Sequence, residues 1–379
     1  MKLRQSVFDA DNWTIITETT GFSGHKAQLI LAFGERALLD KPGLYQQLRE
    51  LYPAAAIVIN STAGEIFDDK VCDDSIVVTA IEFEKTTIRS VQIDISDRSE
   101  SYAAGRQLAQ TLDDETLAAV FVISDGGLVN GTQLIDALNH GLDRIVPITG
   151  GLAGDAARFE RTLVGLNQPP AVGKIVGIGF YGSELTVGTS SMGGWDVFGP
   201  EREVTRSEYN VLYQIGDKQA LDLYKEYLGK YASGLPSAAL FFPLSMRATP
   251  DSHPLVRTIL TIDEATRSMT FAGDMPEKSL VRFMTANLDR LIEAAAVAAH
   301  TARKHLAVEP ELAILVSCVG RKLVLGQRVD EEVEAVREVF GSPSVLTGFY
   351  SYGEISPIAP DARCELHNQT MTITVFSEK

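Results

Sequence analysis

Histidine and cysteine are the residues of this chain best able to bind a metal ion, and their spacing limits what they can do. The chain has six histidines and three cysteines. His300 and His305 are five positions apart in a segment of helical composition, and five positions turn roughly 140° around an α-helix. The two rings therefore cannot bind one metal ion. Cys364 and His367 supply two ligands where structural zinc needs four.

Serine is the next candidate for chemistry. Ser351 stands before Tyr352 and Gly353 and resembles the nucleophile of a GxSxG elbow, but Phe349 occupies the place of the first glycine. The phosphate-binding sequence GxxxxGK(S/T) and the zinc-protease sequence HExxH do not occur. We therefore expect a binding protein and not an enzyme. A small-molecule hydrolase that uses Ser61 or Ser351 is the alternative.

Charge and composition exclude several classes of partner. The formal net charge is −16, from 34 Lys and Arg against 50 Asp and Glu. Nucleic acids and anionic membrane surfaces attract basic proteins, so neither is an expected partner. No apolar run approaches the length of a bilayer span. The odd and widely spaced cysteines give no disulfide framework, and we expect a cytoplasmic, reduced protein.

Three stretches of the chain share one pattern of predicted strands and helices. These elements must position any functional residue. Each has an apolar β-rich run, a helical segment, a glycine followed by or close to an acid, and a second β-rich run. The opening runs are 29–33, 120–123 and 313–316, and the closing runs are 75–80, 174–180 and 370–375. The helical faces carry Leu44, Leu48 and Leu51; Leu134, Ile135, Leu138 and Leu142; and Val333, Val336 and Phe340.

The three glycines of this pattern are Gly64, Gly154 and Gly353. The distance from Phe33 to Gly64 equals the distance from Ile123 to Gly154, at 31 positions. Each glycine lies where the chain turns from one element into another, and glycine permits a positive φ or a close backbone approach there. The interpretation is open between a required turn and a loop that lines a shared pocket. A further pair, Gly273–Asp274, is flanked by hairpin-like sequence and is interpreted as coincidence.

Alternating β-rich runs and amphipathic helices predict an α/β protein. We expect repeated β–α–β units that form mixed sheets with helices packed outside, in two pseudo-symmetric halves. A first domain is expected over residues 1–220 and a second over 221–379. Asn287 is a good N-cap, so a long helix should begin there and end near His305. Its central alanines would let it lie close to a sheet.

The separated segments of this pattern resemble the FIST family, with its N-terminal and C-terminal parts in tandem over roughly residues 25–379. The segments that carry the resemblance are 61–66, 124–126 with Asn130–Gly131, 150–155, Gly273–Asp274 with Asn287–Leu288, Ser317–Cys318, 348–355 and 364–368. FIST members are understood as sensory modules of signal transduction that bind small ligands, often fused to an output module. The resemblance implies a sensor. Since no residues remain for an output module, we expect it to act through a separate protein.

Some stand-alone members of this layout are regarded as haem-containing nitric-oxide sensors that regulate a histidine kinase. The resemblance thus implies haem as one ligand, and a small metabolite such as an amino acid is the alternative. If haem binds, a histidine is the usual axial ligand. His300 ends an alanine-rich apolar stretch that could exclude water, and His367 follows the Gly353 turn. These two histidines are the candidate axial ligands, and for His367 the alternative is a hydrogen-bonded structural histidine.

The candidate pocket follows from the three turns. In open α/β sheets, ligands bind beyond the strand ends where loops converge. At least two of the turns should therefore face one cavity, with Tyr350, Tyr352 and Glu354 on its wall and Asp155 as a second polar group that orients the ligand. Core packing is the alternative for the aromatic side chains. Arg321 could meet a ligand carboxylate or a haem propionate, and a surface salt bridge is the alternative.

Overall fold

The predicted strands and helices were compared with a computed structural model, which describes residues 1–9, 12–306, 308–359 and 362–379. The chain begins with a hairpin and the first repeat unit, which we call unit 1. These elements are β1 (Lys2–Asp9), β2 (Asn12–Glu18), β3 (Leu29–Gly34), α1 (Arg36–Leu39), α2 (Leu44–Leu51), β4 (Ala56–Ser61), β5 (Glu65–Phe67), β6 (Lys70–Cys72) and β7 (Ile76–Glu82).

Unit 2 follows after one strand and one helix. This part of the chain contains β8 (Thr87–Asp94), α3 (Ser101–Leu112), β9 (Leu117–Ser124), α4 (Gly131–Gly141), β10 (Ile148–Leu152), β11 (Val164–Leu166), β12 (Lys174–Tyr181) and β13 (Leu185–Met192).

A sheet of different construction separates unit 2 from the third repeat, and we call it the β-layer. Its elements are β14 (Asp196–Glu208), β15 (Val211–Ile215), β16 (Lys218–Gln219), α5 (Ala220–Leu228), β17 (Leu244–Arg247), β18 (Leu255–Arg257), β19 (Ile259–Asp263), β20 (Ser268–Phe271) and β21 (Leu280–Thr285). Its strands pair antiparallel, and it has a core of its own under α5.

Unit 3 completes the described chain. It contains α6 (Leu288–Lys304), β22 (Leu312–Cys318), α7 (Val319–Leu325), α8 (Val329–Phe340), β23 (Val345–Ser351), β24 (Gly353–Pro357), β25 (Cys364–His367) and β26 (Met371–Glu378). The predicted N-cap is confirmed, because the Asn287 side chain accepts from the Arg290 N–H. The alanines of α6 do allow a close approach: a Cβ on Gly188 of β13 would lie 2.1 Å from the Ala302 carbonyl oxygen.

The three units share one strand arrangement. The first strand of each pairs parallel with the strand after its helix and antiparallel with the closing strand. The sets are β3 with β4 and β7, β9 with β10 and β12, and β22 with β23 and β26. The opening and closing runs that the sequence predicts are therefore strands, and the mixed α/β class is confirmed.

The units are joined by an exchange of strands after the three turns. β5 leaves unit 1 and pairs with β23 of unit 3. β11 leaves unit 2 and pairs with β4 of unit 1. β24 leaves unit 3 and pairs with β10 of unit 2. The exchange is cyclic, so the internal repetition relates three units and not the two halves that we expected.

Both faces of the central strands are buried, which explains why their sequences are almost continuously apolar. Side chains alternate between the two faces of a strand. Leu31 and Phe33 of β3 contribute to a core shared by the three units, whereas Ile30 and Ala32 belong to the core beneath α2. The rings of Phe33 and Phe349 lie 4.9 Å apart in the shared core. The ends of these strands therefore bring the three turns together.

Candidate functional site

The three turns contact one another directly through their backbones. The Ala63 N–H donates to the Tyr350 carbonyl, and the Tyr350 N–H donates to the Gly64 carbonyl, both at 2.8 Å. The Gly154 N–H donates to the Ser61 carbonyl at 3.0 Å. The Tyr352 N–H completes the set by donating to the Leu152 carbonyl at 3.1 Å. Each turn is thus fixed by the other two.

The glycines of the turns serve different purposes. Gly64 has a φ of +134°, which disfavours any side chain. Gly154 lies so close to unit 1 that a Cβ would come within 2.9 Å of the Ala63 nitrogen. Gly353 is less constrained, because its Cβ would meet only the flexible end of Leu366 at 3.1 Å. Backbone geometry therefore requires glycine most strongly in the first two turns.

The acids in the turns of units 1 and 3 are buried and bound to hydroxyls three residues earlier. Glu65 accepts from Thr62 Oγ1 and also from Ser75 Oγ at 2.6 Å. Glu354 accepts from Ser351 Oγ at 2.8 Å, and its second oxygen accepts from the N–H and hydroxyl of Thr370. Burial is the main cause that raises the pKa of each carboxyl to about 8. Burial thus favours the neutral form of both side chains.

Asp155, the acid of unit 2, is bound in another way. Its Oδ2 lies 2.9 Å from Arg36 Nη1 of unit 1 and accepts from the backbone N–H groups of Glu160 and Arg161. Its Oδ1 accepts from the Phe159 N–H at 2.9 Å and from the Tyr352 hydroxyl. This one carboxylate therefore joins all three units and fixes the loop of residues 155–162.

That loop separates two cavities. The first, which we call the Gly64 cavity, has a volume of about 320 Å³ and is lined by Gly64, Ala156, Arg158 and Lys322 among others. The second, which we call the Tyr352 cavity, has a volume of about 200 Å³. It lies between unit 2, the Tyr352 turn and the β-layer. Its lining includes Arg98, Gly126, Gly127, Leu152, Phe159, Arg161, Thr162, Asn210, Phe271, Ala272 and Tyr352.

Tyr352 and Phe159 form the aromatic wall of the Tyr352 cavity. Their rings are stacked with centroids 4.7 Å apart. Phe159 is 52% exposed and has a φ of +54°, an unusual conformation for a large residue. The Asp155 carboxylate holds this conformation through the Phe159 N–H. An apolar ring is thereby kept at the cavity surface at a cost in backbone strain.

Polar groups stand around this wall in fixed positions. The Gly126 N–H donates to Thr162 Oγ1 at 2.9 Å, and Asp125 accepts from the N–H groups of Gly127 and Leu128 at 2.8 Å. Asp125 thereby positions the 126–128 loop. Arg161 pairs with Asp40, whereas Arg98 makes no ion pair with any residue that the structure describes. The cavity thus combines a flat apolar surface with two cationic groups and one carboxylate at its wall, that of Glu160, which pairs with Arg36.

The expected aromatic cluster is divided by the path of the chain. Tyr350 and Phe349 are fully buried, and the Tyr350 hydroxyl donates to Glu332 at 2.7 Å. Glu354 is fully buried as well. The expectation that Tyr350 and Glu354 line the cavity is therefore wrong, since the chain crosses from one sheet to the next at Tyr352. Among the predicted aromatic residues, Tyr352 faces the cavity.

Arg321 does not form the surface salt bridge that was the alternative interpretation. It is fully buried on α7 and forms an ion pair with Glu332 of α8 at 2.8 Å. Its Nη1 donates to the Gly193 carbonyl, and its Nη2 also donates to the Leu291 carbonyl. The sequence did not indicate this ion pair, because Glu332 lies one turn into α8, 11 positions after Arg321. Arg321 thus fixes α7 and α8 against α6 and the end of β13.

The two predicted axial histidines lie apart. His300 is exposed, because the buried face of α6 is formed by its leucine and alanines and His300 follows that face by one position. It lies in an open surface groove with Arg303, Lys304 and few apolar side chains. His367 is buried, and its Nε2 is 2.9 Å from the Ser356 carbonyl, with burial lowering its pKa to about 4. His300 therefore does not exclude water, contrary to expectation.

These positions do not fit haem. A haem site encloses the ring in apolar side chains beside a free axial donor. His367 is hydrogen-bonded within a sheet and lines neither the Tyr352 cavity nor the Gly64 cavity. Over the described ranges, no group of three or more His, Cys, Asp or Glu side chains is arranged to hold a metal ion.

Ser61 and Ser351 are both fully buried and engaged. Ser61 Oγ accepts from the Leu163 N–H at 2.8 Å, and Ser351 Oγ donates to Glu354. Neither is bonded to a histidine in the described part of the chain. Gly177, Gly179 and Gly182 match the spacing GxGxxG, but two of them lie within β12 instead of at a strand–helix turn.

Sequence reasoning missed Phe159, Arg36 and Arg98. A phenylalanine next to charged residues in the run 158–161 is a signal for an exposed ring, although a weak one. Arg36 and Arg98 lie far from Asp155 and Tyr352 in sequence, and their proximity depends on the strand exchange. None of the helices in the described part of the chain has the length and apolarity needed to cross a bilayer.

The comparisons with known proteins agree with the segments that carry the resemblance. A family model of the FIST N domain matches residues 28–218. A family model of the FIST C domain matches residues 220–357. A search of curated proteins gave no significant match. The Tyr352 cavity takes residues from both matched segments.

Proposed function

Since this chain belongs to the FIST family, whose domains are sensory, ligand-binding domains of signal transduction, we propose that it senses a small ligand in the Tyr352 cavity. The ligand class that suits this cavity is a small anion with a flat apolar part. It would stack on Phe159 and Tyr352 and place its charge near Arg98 and Arg161. The observation that carries the proposal is the strained, exposed Phe159 ring at a cavity between the two family domains.

The chemistry of the wall supports a ligand of mixed character. Aromatic side chains with one polar end are suited to pockets that hold a partly apolar molecule. A volume of about 200 Å³ restricts the ligand to a small metabolite. An aromatic or branched amino acid, or a simple aromatic carboxylate, meets these conditions.

The contacts of Tyr352 suggest how binding would be reported. Its hydroxyl is bound to Asp155, and Asp155 is bound to Arg36 of unit 1. A ligand that moves the Tyr352 ring would disturb the carboxylate that joins the three units. The 155–162 loop would then shift on its other side, at the Gly64 cavity. We propose that a separate cytoplasmic signalling protein, such as a histidine kinase, responds to this change.

Binding can be tested with benzoate and a panel of amino acids. We expect at least one of them to raise the unfolding temperature of the wild type and to bind at least tenfold more weakly to Tyr352→Ala. Tyr213→Ala is the matched control, because Tyr213 is also a partly buried tyrosine and lies outside the cavity. Equal binding by Tyr352→Ala and the wild type would contradict the proposal.

Haem-based nitric-oxide sensing is the alternative that the resemblance implies, and it calls for a separate measurement. The protein would be reconstituted with haem and its absorption spectrum recorded, alone and with nitric oxide. A Soret band that is lost in His300→Ala or His367→Ala would establish haem binding and set aside the Tyr352 cavity as the sensor site. No Soret band is the result we expect.

A further inference from the structure

Arg257 of β18 is a buried cation without a carboxylate partner. Its side chain is 3% exposed. Its Nε donates to the Asp274 carbonyl at 3.2 Å, and its Nη1 donates to the Leu366 carbonyl at 3.0 Å. It forms no ion pair within 4 Å with any residue of the described ranges. Buried charges are ordinarily paired, because removing a charge from water is costly.

The guanidinium lies against a cavity that we call the Arg257 cavity. Its volume is about 310 Å³, and it opens between α4, the β-layer and the 363–366 segment. Arg363 is on the same wall and is exposed. The Thr132 hydroxyl, also on the wall, is buried without a hydrogen-bond partner among the described residues. Two cations and an unsatisfied hydroxyl therefore converge on one space.

Three acids also line this cavity, and two of them are engaged elsewhere. Asp136 lies 3.2 Å from His140 Nδ1, and Asp274 accepts from Asn130 Nδ2 at 3.5 Å. Glu365 is the remaining acid. Burial is the main cause that raises the pKa of its carboxyl, while the nearby Arg257 acts in the opposite direction. Glu365 is thus the main competitor for the guanidinium, and Asp274 is the second.

The position of Arg257 is fixed by the pair Gly273–Asp274. A Cβ on Gly273 would lie 3.0 Å from Arg257 Cζ, so a side chain there would displace the guanidinium. The next residue supplies the carbonyl that accepts from Nε. This glycine–acid pair has no equivalent among the turns of the units. The pair thus holds a cation at the junction of the β-layer and β25 of unit 3.

We propose that the Arg257 cavity is a second ligand site, which binds a small molecule through a carboxylate or phosphate group. Arg257 and Arg363 would contact the oxyanion, and Thr132 would donate its hydroxyl hydrogen to it. Charged and bidentate contacts of this kind are the strong ones for such groups. The site has no lining residue in common with the Tyr352 cavity, so it stands independently of the proposed sensor site.

The unfolding temperature of the full chain tests this site. It would be measured against inorganic phosphate and, separately, succinate, with sodium chloride holding the ionic strength constant. We expect one of the two probes to stabilise the wild type. Phosphate alone assigns a phosphate-bearing ligand, and succinate alone assigns a carboxylate. No response to either probe, in the wild type and in Glu365→Gln, overturns the proposal.

Three variants sharpen the result. Glu365→Gln removes the competing charge and should bind the probe several-fold more tightly. Arg257→Met should lose the response, and if it fails to fold, Arg363→Met should still weaken binding at least threefold. Arg206→Met is the matched control, since Arg206 is an exposed arginine of the same β-layer outside the cavity. If Glu365→Gln only destabilises the protein and gains no affinity, Glu365 is the natural partner of Arg257 and the proposal is wrong.

Discussion

The turns of units 1 and 3 differ from the turn of unit 2 although all three belong to one repeat. In units 1 and 3 a glutamate is bound to a hydroxyl three residues earlier, at Thr62 and Ser351. In unit 2 the corresponding positions are Asp155 and Leu152. The shorter acid accepts from a cation and the backbone of its own loop, and the leucine faces the Tyr352 cavity.

This difference separates structural from functional positions. Where the repeat is kept, the acid is bound by hydroxyl groups of its own unit. Where the repeat is broken, the equally buried Asp155 pairs with Arg36 and accepts from Tyr352, which lines a cavity. A repeated pattern thus indicates the scaffold, and the departure from it indicates the site. The predictions below test this contrast by making the same chemical change in both kinds of turn.

The largest effect is expected for Asp155→Asn. The change removes the charge that pairs with the largely buried Arg36 and should lower the free energy of unfolding by about 3–5 kcal/mol. Denaturation by urea at pH 7 measures it. Arg161→Met, which breaks an exposed ion pair with Asp40, is the control and should cost less than about 1 kcal/mol. Equal effects of the two changes would remove the distinction that we draw for unit 2.

The same acid-to-amide change in unit 3 should raise the free energy of unfolding at high pH, whereas Asp155→Asn lowers it. The folded-state pKa of Glu354 is raised to about 8 from an ordinary value of 4.5. A group of this kind supports folding fully at low pH, and its contribution falls as pH rises from 4.5 through 8. Each such group then costs up to about 1.4 kcal/mol per pH unit.

Glu354→Gln should therefore gain about 2 kcal/mol relative to the wild type between pH 6 and pH 8, because the amide does not ionise. Urea unfolding at several pH values measures this gain. Glu65→Gln should behave alike, since the pKa of Glu65 is also raised to about 8. A stability difference that does not change with pH would show that these carboxyls ionise normally.

A smaller effect is expected for Tyr352→Phe, which removes the hydroxyl that donates to Asp155. The cost should be about 1 kcal/mol, together with weaker binding of the ligand found for the cavity. Tyr224→Phe also removes one hydrogen bond, to the Phe242 carbonyl at 2.8 Å, and serves as the control. It should lose similar stability and keep its ligand affinity, as titration calorimetry would show.

The smallest change in stability is expected for Phe159→Ala. The ring is half exposed, so its removal should cost about 0.5 kcal/mol, yet ligand binding should weaken about tenfold. Phe159→Gly should bind as poorly but be the more stable of the two, because glycine tolerates the positive φ. Phe241→Ala, at a comparably exposed ring elsewhere, should leave binding unchanged.

Much of the scaffold could be predicted from local sequence. The opening and closing strands are apolar on both faces, and the helical faces repeat with a clear period, so both kinds of element were recognised. The convergence of the turns followed from their equal spacing. The exception on α2 is Leu51, which is 57% exposed at the end of its helix.

The site could be predicted only in part, because it depends on contacts distant in sequence. Tyr352 was recognised from its turn, but its partners Phe159 and Arg98 come from other units through the strand exchange. The burial of Arg321 depends on its ion pair with Glu332. The exposure of His300 depends on which face of α6 is turned towards the core. The burial of Arg257 could not be predicted, because the residues next to it in sequence do not indicate a buried cation. The burial of a single side chain and its contacts with residues distant in sequence cannot be inferred from a short stretch of sequence.

The strand exchange also has a consequence for synthesis on the ribosome. β5 is made early but pairs with β23, with Phe67 opposite Thr347, and β10 waits for β24 in the same way. The β10 edge of the second sheet therefore stays open until nearly the whole chain has emerged, whereas β11 already completes the first sheet. Such distant pairings slow folding and expose strand edges to other chains. An interruption of synthesis before β23 leaves both β5 and β10 without their partner strands.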